Sequence, residues 1–323
     1  MSSTQTAITT AAGTGTATGS STGSGAAFGT GTAPVHHGEL LQGAFTGPSG
    51  APVRALVTLP CPLHTTRATF TPVPGGEVTV SPPWKEKARR AAELTLDGLR
   101  LRTGGRLDLV GDAPTGRGFG SSTSDVLAAV RAVRDAFGAP LTAREAARLA
   151  VRAETASDAL MFEATAVLFA QREGTVVEDF GHRLPPLHVL GFGSRADGHG
   201  VNTLALPAPR YDSAEIARFD RLRVLLRRAL RAQDAALLGA VATRSALLNQ
   251  RRLPVPGLDR LLTTARACGA LGLQIAHSGD IAAFLFAPEP PEARTPRTTR
   301  ARELLRGAGV EECWEFAVGA APR

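Results

Sequence analysis

Apolar residues recur two apart in some stretches of this chain and three or four apart in others, and the changes of period mark its elements. Between residues 51 and 80, Val53–Leu59, Thr65–Thr71 and Glu77–Val80 form short β-type runs broken by Pro/Gly turns, which predicts antiparallel pairing. Lys85–Leu96 has helical spacing, and Arg106–Val110 alternates apolar and polar positions as a half-buried strand does. In Ser121–Phe137 the residues Val126, Ala129, Val130, Val133 and Phe137 fall on one helical face. A helix over Thr142–Thr155 opens on the capping box Thr142/Glu145, and the spacing predicts another over Asp158–Gln171. Strands follow at 175–180 and 187–192. The second half predicts a strand near Thr203–Leu206, helices at 213–231, 233–249 and 257–270, a strand pair within 272–287, a helix at 297–308 and a closing strand near Cys313–Val318. Strands come in runs rather than in βαβα alternation, so the fold class is α+β.

Composition divides the chain further. Residues 1–33 are almost wholly Ser, Thr, Gly and Ala, carry no charge and have almost no large apolar side chain, so they read as a disordered tail that cannot offset its conformational entropy. The tail has neither the basic start nor the apolar run of a signal peptide. The remaining length suits two domains, 34–185 and 186–323. No run approaches the ~20 apolar residues of a membrane span, so no membrane partner is expected. Net charge is +7, and the only lysines are Lys85 and Lys87. The arginines are scattered on helical stretches among Glu and Asp, without zinc-finger spacing, stacking aromatics or a basic arm, which argues against a nucleic-acid partner. Cys61, Cys268 and Cys313 are far apart and unpaired in pattern, as in a reducing, cytoplasmic setting.

The most informative segment is Pro114-Thr115-Gly116-Arg117-Gly118-Phe119-Gly120-Ser121-Ser122-Thr123-Ser124-Asp125. Alternating glycines stand directly before a long amphipathic helix. Glycine admits positive φ and lets the backbone approach a ligand. The free amides and the dipole of a helix's first turn attract anions. Ser121, Ser122 and Thr123 add hydroxyls suited to phosphate oxygens or a magnesium ion. The stretch is neither a Walker A loop, lacking Lys after its last Gly, nor a dinucleotide fingerprint.

This loop resembles the second signature of the galactokinase/homoserine kinase/mevalonate kinase/phosphomevalonate kinase (GHMP) superfamily, P-x-x-x-G-(Leu or similar)-(Gly/Ala/Ser)-S-S, with Phe119 bulkier than the usual residue. The first signature is matched by Ala33-Pro34-Val35-His36-His37-Gly38-Glu39-Leu40-Leu41-Gln42-Gly43, and the third by His277-Ser278-Gly279-Asp280 before the apolar run Ile281–Phe286. Within the superfamily the chain is most similar to the L-threonine kinases of cobalamin synthesis. The stretches that carry this are Gly38–Gly43, Gly116–Asp125 with Arg117 in a Lys place, Ser157–Phe162, Ala242–Gln250 and Ala276–Gly279. Asp280 departs from the small or hydroxyl residue expected there, and a carboxylate in that loop would repel phosphates or a substrate carboxylate.

The resemblance implies a two-domain GHMP kinase fold, with a ribosomal protein S5 domain 2-like N-terminal domain and a ferredoxin-like C-terminal domain. It implies that ATP is held by Pro114, Gly116, Arg117, Gly118, Gly120, Ser121, Ser122 and Thr123, and that Mg2+ is held by Ser122 and Glu154. The residues alone leave Glu154 equally readable as a surface glutamate among Arg148 and Arg152. Asp158 aligns with the family's catalytic base, although Ser157-Asp158 also reads as a helix cap. Glu39 and Gln42 of the first motif, Ser245 and Asn249 at i, i+4 on one helix face, and His277 and Ser278 of the third motif are the expected contacts to substrate. The resemblance implies ATP-dependent phosphorylation of the side-chain hydroxyl of L-threonine or a related hydroxy amino acid; the alternatives are a kinase for another small alcohol, such as homoserine or a sugar, and a catalytically inactive nucleotide-binding relative, with a homodimer left open.

Overall fold

The structure, a computed structural model, describes residues 28–194, 209–276 and 280–319. The N-terminal half holds strands β1 (Gly29–Thr46), β2 (Pro52–Pro74), β3 (Val78–Ser81) and β4 (Thr103–Gly111), with helices α1 (Glu86–Gly98), α2 (Ser121–Ala136) and α3 (Ala143–Glu154). Strands β5 (Val167–Ala170), β6 (Thr175–Asp179) and β7 (Leu187–Gly193) follow. The C-terminal half holds α4 (Ser213–Ala232), α5 (Ala235–Asn249), α6 (Leu258–Ala267), β8 (Gly272–Ile275), β9 (Ile281–Phe286), α7 (Pro291–Arg306) and β10 (Cys313–Val318). The strands join in the order β10-β7-β9-β8-β1-β2-β4-β3, with β5 against β2 and β6 against β5. Every pairing is antiparallel except β3 with β4. This is the α+β architecture that the runs of strands predict.

Strand β1 positions the site because it is the seam of the sheet. It pairs with β2 along nearly its whole length, but touches β8 only at Glu39↔Ile275. Its register slips three times between Pro34 and Leu41, and Gly38 has φ 68°. A Cβ on Gly38 would lie 2.6 Å from the Ala276 Cβ and from Gln274 Nε2, so only glycine allows β8 to close here. The resulting bulge re-aims the side chains of His36 and His37.

Helices α1, α2 and α3 pack on one another and on the N-terminal strands around Phe70, Leu107, Val126, Leu127, Val130 and Phe169. A second cluster, containing Leu40, Phe45, Leu168, Val189, Phe219 and Leu285, runs across the seam, and a third lies under α6 and α7. Among the described residues no helix is long and apolar enough to cross a membrane.

Four expectations need correction. The run Glu77–Val80, expected to pair antiparallel, falls on β3, which pairs parallel with β4. Strand β1 starts at Gly29, inside the segment read as a disordered tail; Gly29–Ala33 pair with Phe70–Thr66. The small residues that gave this stretch its low-complexity look are required by packing: a Cβ on Gly29 or Gly31 would stand 2.1 or 2.2 Å from the backbone of α2. The helix expected over Asp158–Gln171 does not form. Thr155 takes φ 72° and ends α3, the chain turns, and Val167–Ala170 becomes a strand buried at all four positions. Finally, the two runs expected at 53–59 and 65–71 are parts of one strand, β2, whose partner β1 slips register opposite Pro60–Thr65. The strand expected near Thr203–Leu206 lies outside the described residues.

Candidate active site

The glycine loop leads into α2 as the sequence requires. Gly116, Gly118 and Gly120 have φ 76°, 105° and 67°, and Gly120 is the N-cap of α2 without any side-chain cap. Among the described residues no protein group accepts from the amides of Ser121, Ser122 or Thr123; the first α2 amide with a partner is Ser124, to the Gly120 carbonyl. Ser121 and Ser122 are only half-buried. Three amides without an acceptor among the described residues, the positive end of a 16-residue helix and a glycine-rich loop thus stand together, an anion site in form and charge.

Two carboxylates stand at this helix start. Glu154, the last residue of α3, is buried and accepts from Ser122 Oγ (2.8 Å) and Thr123 Oγ1 (2.7 Å). Burial, opposed by these two hydroxyls, pushes its carboxyl up to about 7. Asp158, in the turn after α3, lies beside it. Thr123 links the two: its Oγ1 is 3.3 Å from Asp158 Oδ2 and also accepts from the Asp158 amide at 3.3 Å.

Asp158 is paired with His36, whose Nε2 is 2.9 Å from Asp158 Oδ2. The Gly38 amide donates to His36 Nδ1 (2.8 Å), and the His36 amide donates to the Phe119 carbonyl (3.0 Å). Burial opposes charging of this ring, whereas the carboxylates of Asp158 and Glu39 favour it and raise its pKa. The Gly38 amide works against a second proton, because an amide hydrogen and an imidazolium hydrogen cannot share one lone pair. Nε2 is thus the ring nitrogen left to pair with Asp158. Burial pushes the Asp158 carboxyl up, but His36, Thr123 and the nearby Lys87 outweigh it and hold the group below the usual carboxylate range. Gly120 makes room for the pair: a Cβ there would stand 2.1 Å from the His36 ring and 3.3 Å from Asp158 Oδ2.

The only two lysines of the chain also converge here. Lys85 Nζ is 2.5 Å from Asp125 Oδ2, and Thr66 Oγ1 donates to Oδ1 of the same carboxylate (3.2 Å). Lys87 Nζ donates to Ser122 Oγ (3.1 Å) and lies 3.9 Å from Glu154 Oε2. Neither lysine nor His36 was singled out from the sequence as a functional residue. The signal that points to the lysines is their isolation in a chain that otherwise carries its positive charge on arginine.

The oxygens of Ser122 and Glu154 lie together, 2.8 Å apart and both near the Lys87 ammonium, so their donor set suits a hard cation. Among the described residues no three His, Cys, Asp or Glu side chains gather as a metal site. Magnesium held with a nucleotide needs only one or two protein ligands, the rest coming from phosphates and water. Ser122 and Glu154 fit that role.

The other expected site residues fall elsewhere. The Arg117 guanidinium is engaged by Asp280 (3.2 Å) and Glu312 (2.5 Å), and Asp280 is fully buried. The loop carboxylate expected to repel anions is thus neutralised by the loop's own arginine. Glu39 is buried in β1 opposite Thr58 and Ile275. Ser245 and Asn249 do share one face of α5, and both grip the main chain of Gln42. Ser245 Oγ accepts from the Gln42 amide (3.1 Å), and Asn249 Nδ2 donates to its carbonyl (2.8 Å). His277 and Ser278 lie outside the described residues.

Comparison with known proteins bears on the family and the fold. The family model for the GHMP kinases N terminal domain matches residues 86–167, and that for the GHMP kinases C terminal region matches 226–310, together just over half of the chain. The chain is 28% identical to the L-threonine kinase of Salmonella typhimurium over 181 residues, 56% of this chain and 59% of that protein. The aligned region therefore spans about three fifths of the curated relative. Among solved structures, the homoserine kinase of Cytophaga hutchinsonii superposes with a TM-score of 0.64 at 16% identity, covering 91% of this chain and 95% of that one. The mevalonate diphosphate decarboxylase of Enterococcus faecalis, described for its ATP binding mechanism, superposes with a TM-score of 0.63 at 16% identity, covering 90% and 97%. With both family models matched in order over just over half of its length, the chain belongs to the GHMP kinases and has their two-domain fold.

Proposed function

We propose that this protein transfers the γ-phosphate of ATP to the side-chain hydroxyl of L-threonine or a related hydroxy amino acid, in cobamide synthesis or a pathway that uses the same chemistry. The observation that carries the reading is the first turn of α2, whose amides at 121–123 have no acceptor among the described residues, joined through Thr123 to both Glu154 and Asp158. The amides of Ser121–Thr123 and the glycine loop would cradle the triphosphate, with the Lys87 ammonium beside them. Ser122 and Glu154 would hold Mg2+, which neutralises phosphate charge when bound. Asp158 would accept the proton of the attacking hydroxyl as the new O–P bond forms and the bond from the γ-phosphorus to the leaving ADP oxygen breaks. His36 holds that carboxylate in place through Nε2–H.

The preference for threonine rests on the motifs at Gly38–Gly43, Ser157–Phe162 and Ala242–Gln250 and on the similarity to the L-threonine kinase of Salmonella typhimurium. The fold likeness to a homoserine kinase makes homoserine the competing acceptor. Magnesium- and acceptor-dependent ADP release, screened over threonine, serine, homoserine and simple sugars, tests the choice. Threonine is expected to give the highest kcat/KM. A clear preference for homoserine or a sugar contradicts the assignment of substrate, and release with none of them contradicts the assignment of reaction.

A further inference from the structure

The phosphate loop is anchored from outside its own half of the sheet. Three neighbouring strand ends meet it: Gly193 closes β7, Asp280 precedes β9, and Glu312 precedes β10. Arg117 enters between them. Its Nε lies 3.2 Å from Asp280 Oδ1 and 3.4 Å from Oδ2, and its Nη1 donates to Glu312 Oε2 (2.5 Å). Its guanidinium carbon lies 5.6 Å over the ring of Trp314. The main chain is gripped as well, since the Asp280 amide donates to the Arg117 carbonyl (2.8 Å). The Asp280 carbonyl in turn accepts from the Ser194 amide. Gly193 leaves the room required, because a Cβ there would stand 3.1 Å from Arg117 Nη2.

The partners differ in weight. Glu312 is largely exposed, and an exposed pair contributes little. Asp280 is fully buried, and a buried carboxylate without its cation is strongly unfavourable. Asp280 therefore needs Arg117, and holding it fixes the middle of a loop whose glycines at 116, 118 and 120 otherwise leave the backbone free. Among the described residues a Cβ on Gly116 would meet nothing within 4 Å, so none of them supports that side of the loop. Two residues on, the Phe119 ring is buried against His37 and Trp314, at 5.6 and 5.5 Å between centroids.

We propose that Asp280 is a positioning residue for nucleotide binding: by gripping Arg117 through main chain and guanidinium, it holds the phosphate loop against the C-terminal strands in the shape that receives the triphosphate. The inference rests on the reading of the loop as a nucleotide site. A loop ordered before the ligand arrives loses less entropy on binding, so the effect belongs to nucleotide affinity rather than to the transfer step.

The test is titration calorimetry of the full chain with magnesium and a non-hydrolysable ATP analogue, for wild type, Asp280→Asn, Arg117→Met and the double variant, alongside thermal unfolding and steady-state kinetics. Each single change is expected to weaken nucleotide binding by about tenfold, with acceptor KM and kcat at saturating ATP held within about twofold. The double variant is expected to bind no more weakly than the weaker single, because both changes remove one device. Single variants that bind like wild type, or losses that multiply in the double, overturn the inference. Should a single variant fail to fold, the double variant, which leaves no unpaired buried charge, decides: about tenfold weaker binding supports the inference and wild-type affinity overturns it. A wild-type chain that binds no nucleotide overturns the reading of the loop itself, and the inference with it.

Discussion

At the scale of single residues, the site is a pair of carboxylates held in different states by different neighbours. Asp158 is stabilised as an anion by His36 and Thr123, as a proton acceptor requires. Glu154 is buried, and its pKa is raised to about 7. A group whose pKa is raised on folding contributes stability below its unfolded value, and that contribution is lost as pH rises through the folded value. The nucleotide-free protein should therefore lose melting temperature between about pH 4.5 and 7 on account of Glu154, and Glu154→Gln should flatten that slope. Metal binding works in the opposite sense, since a magnesium ligand must be deprotonated. Affinity for magnesium–ATP should rise through pH 7 in the wild type and be nearly level in Glu154→Gln. Calorimetric titrations at pH 6 and 8 check both slopes, and a pH-independent affinity in the wild type contradicts the assignment of Glu154.

At the scale of elements, strand β1 and helix α2 decide the geometry. Gly31 allows β1 to press on α2; an added Cβ would sit 2.2 Å from the Ala128 carbonyl and 2.5 Å from the Ala132 amide. Gly31→Ala should cost about 1–3 kcal/mol, read as a lower urea midpoint, whereas Thr32→Ala, whose side chain is exposed, should leave the midpoint unchanged. An unaltered midpoint for Gly31→Ala contradicts the packing described. The same strand shows where sequence reasoning stops. The loop and start of α2 were legible because glycines before a helix have few other uses. Helices α1 to α6 and strand β10 were legible from period and caps. The beginning of β1 was not, because Gly29 and Gly31 have no side chain to show periodicity and their role appears only against the α2 backbone. Helix and strand were confused at 158–171 because a short apolar run such as Val167–Ala170 fits either, and only its pairing with Leu56 and with β6 settles it. His36 escaped notice because its function depends on the bulge at Gly38 and on Asp158, 122 positions further along the chain.

At the scale of the whole molecule, the site belongs to neither half alone. Strand β1 carries His36 from the seam, α2 and α3 bring the hydroxyls and carboxylates, and the ends of β7, β9 and β10 hold the loop through Arg117. The net charge of +7 favours an anionic ligand without defining one. What defines it is the convergence of free amides, two lysines and a paired aspartate on a single helix start. The most direct test is transfer of labelled phosphate from γ-labelled ATP to L-threonine by wild type and Asp158→Asn, with nucleotide affinity measured in parallel. The account predicts a magnesium-dependent O-phosphorylated amino acid, formed about 10²- to 10⁴-fold more slowly by the variant at unchanged nucleotide affinity. Equal rates for the two proteins, or labelled ATP left intact beside every alcohol offered, would contradict it.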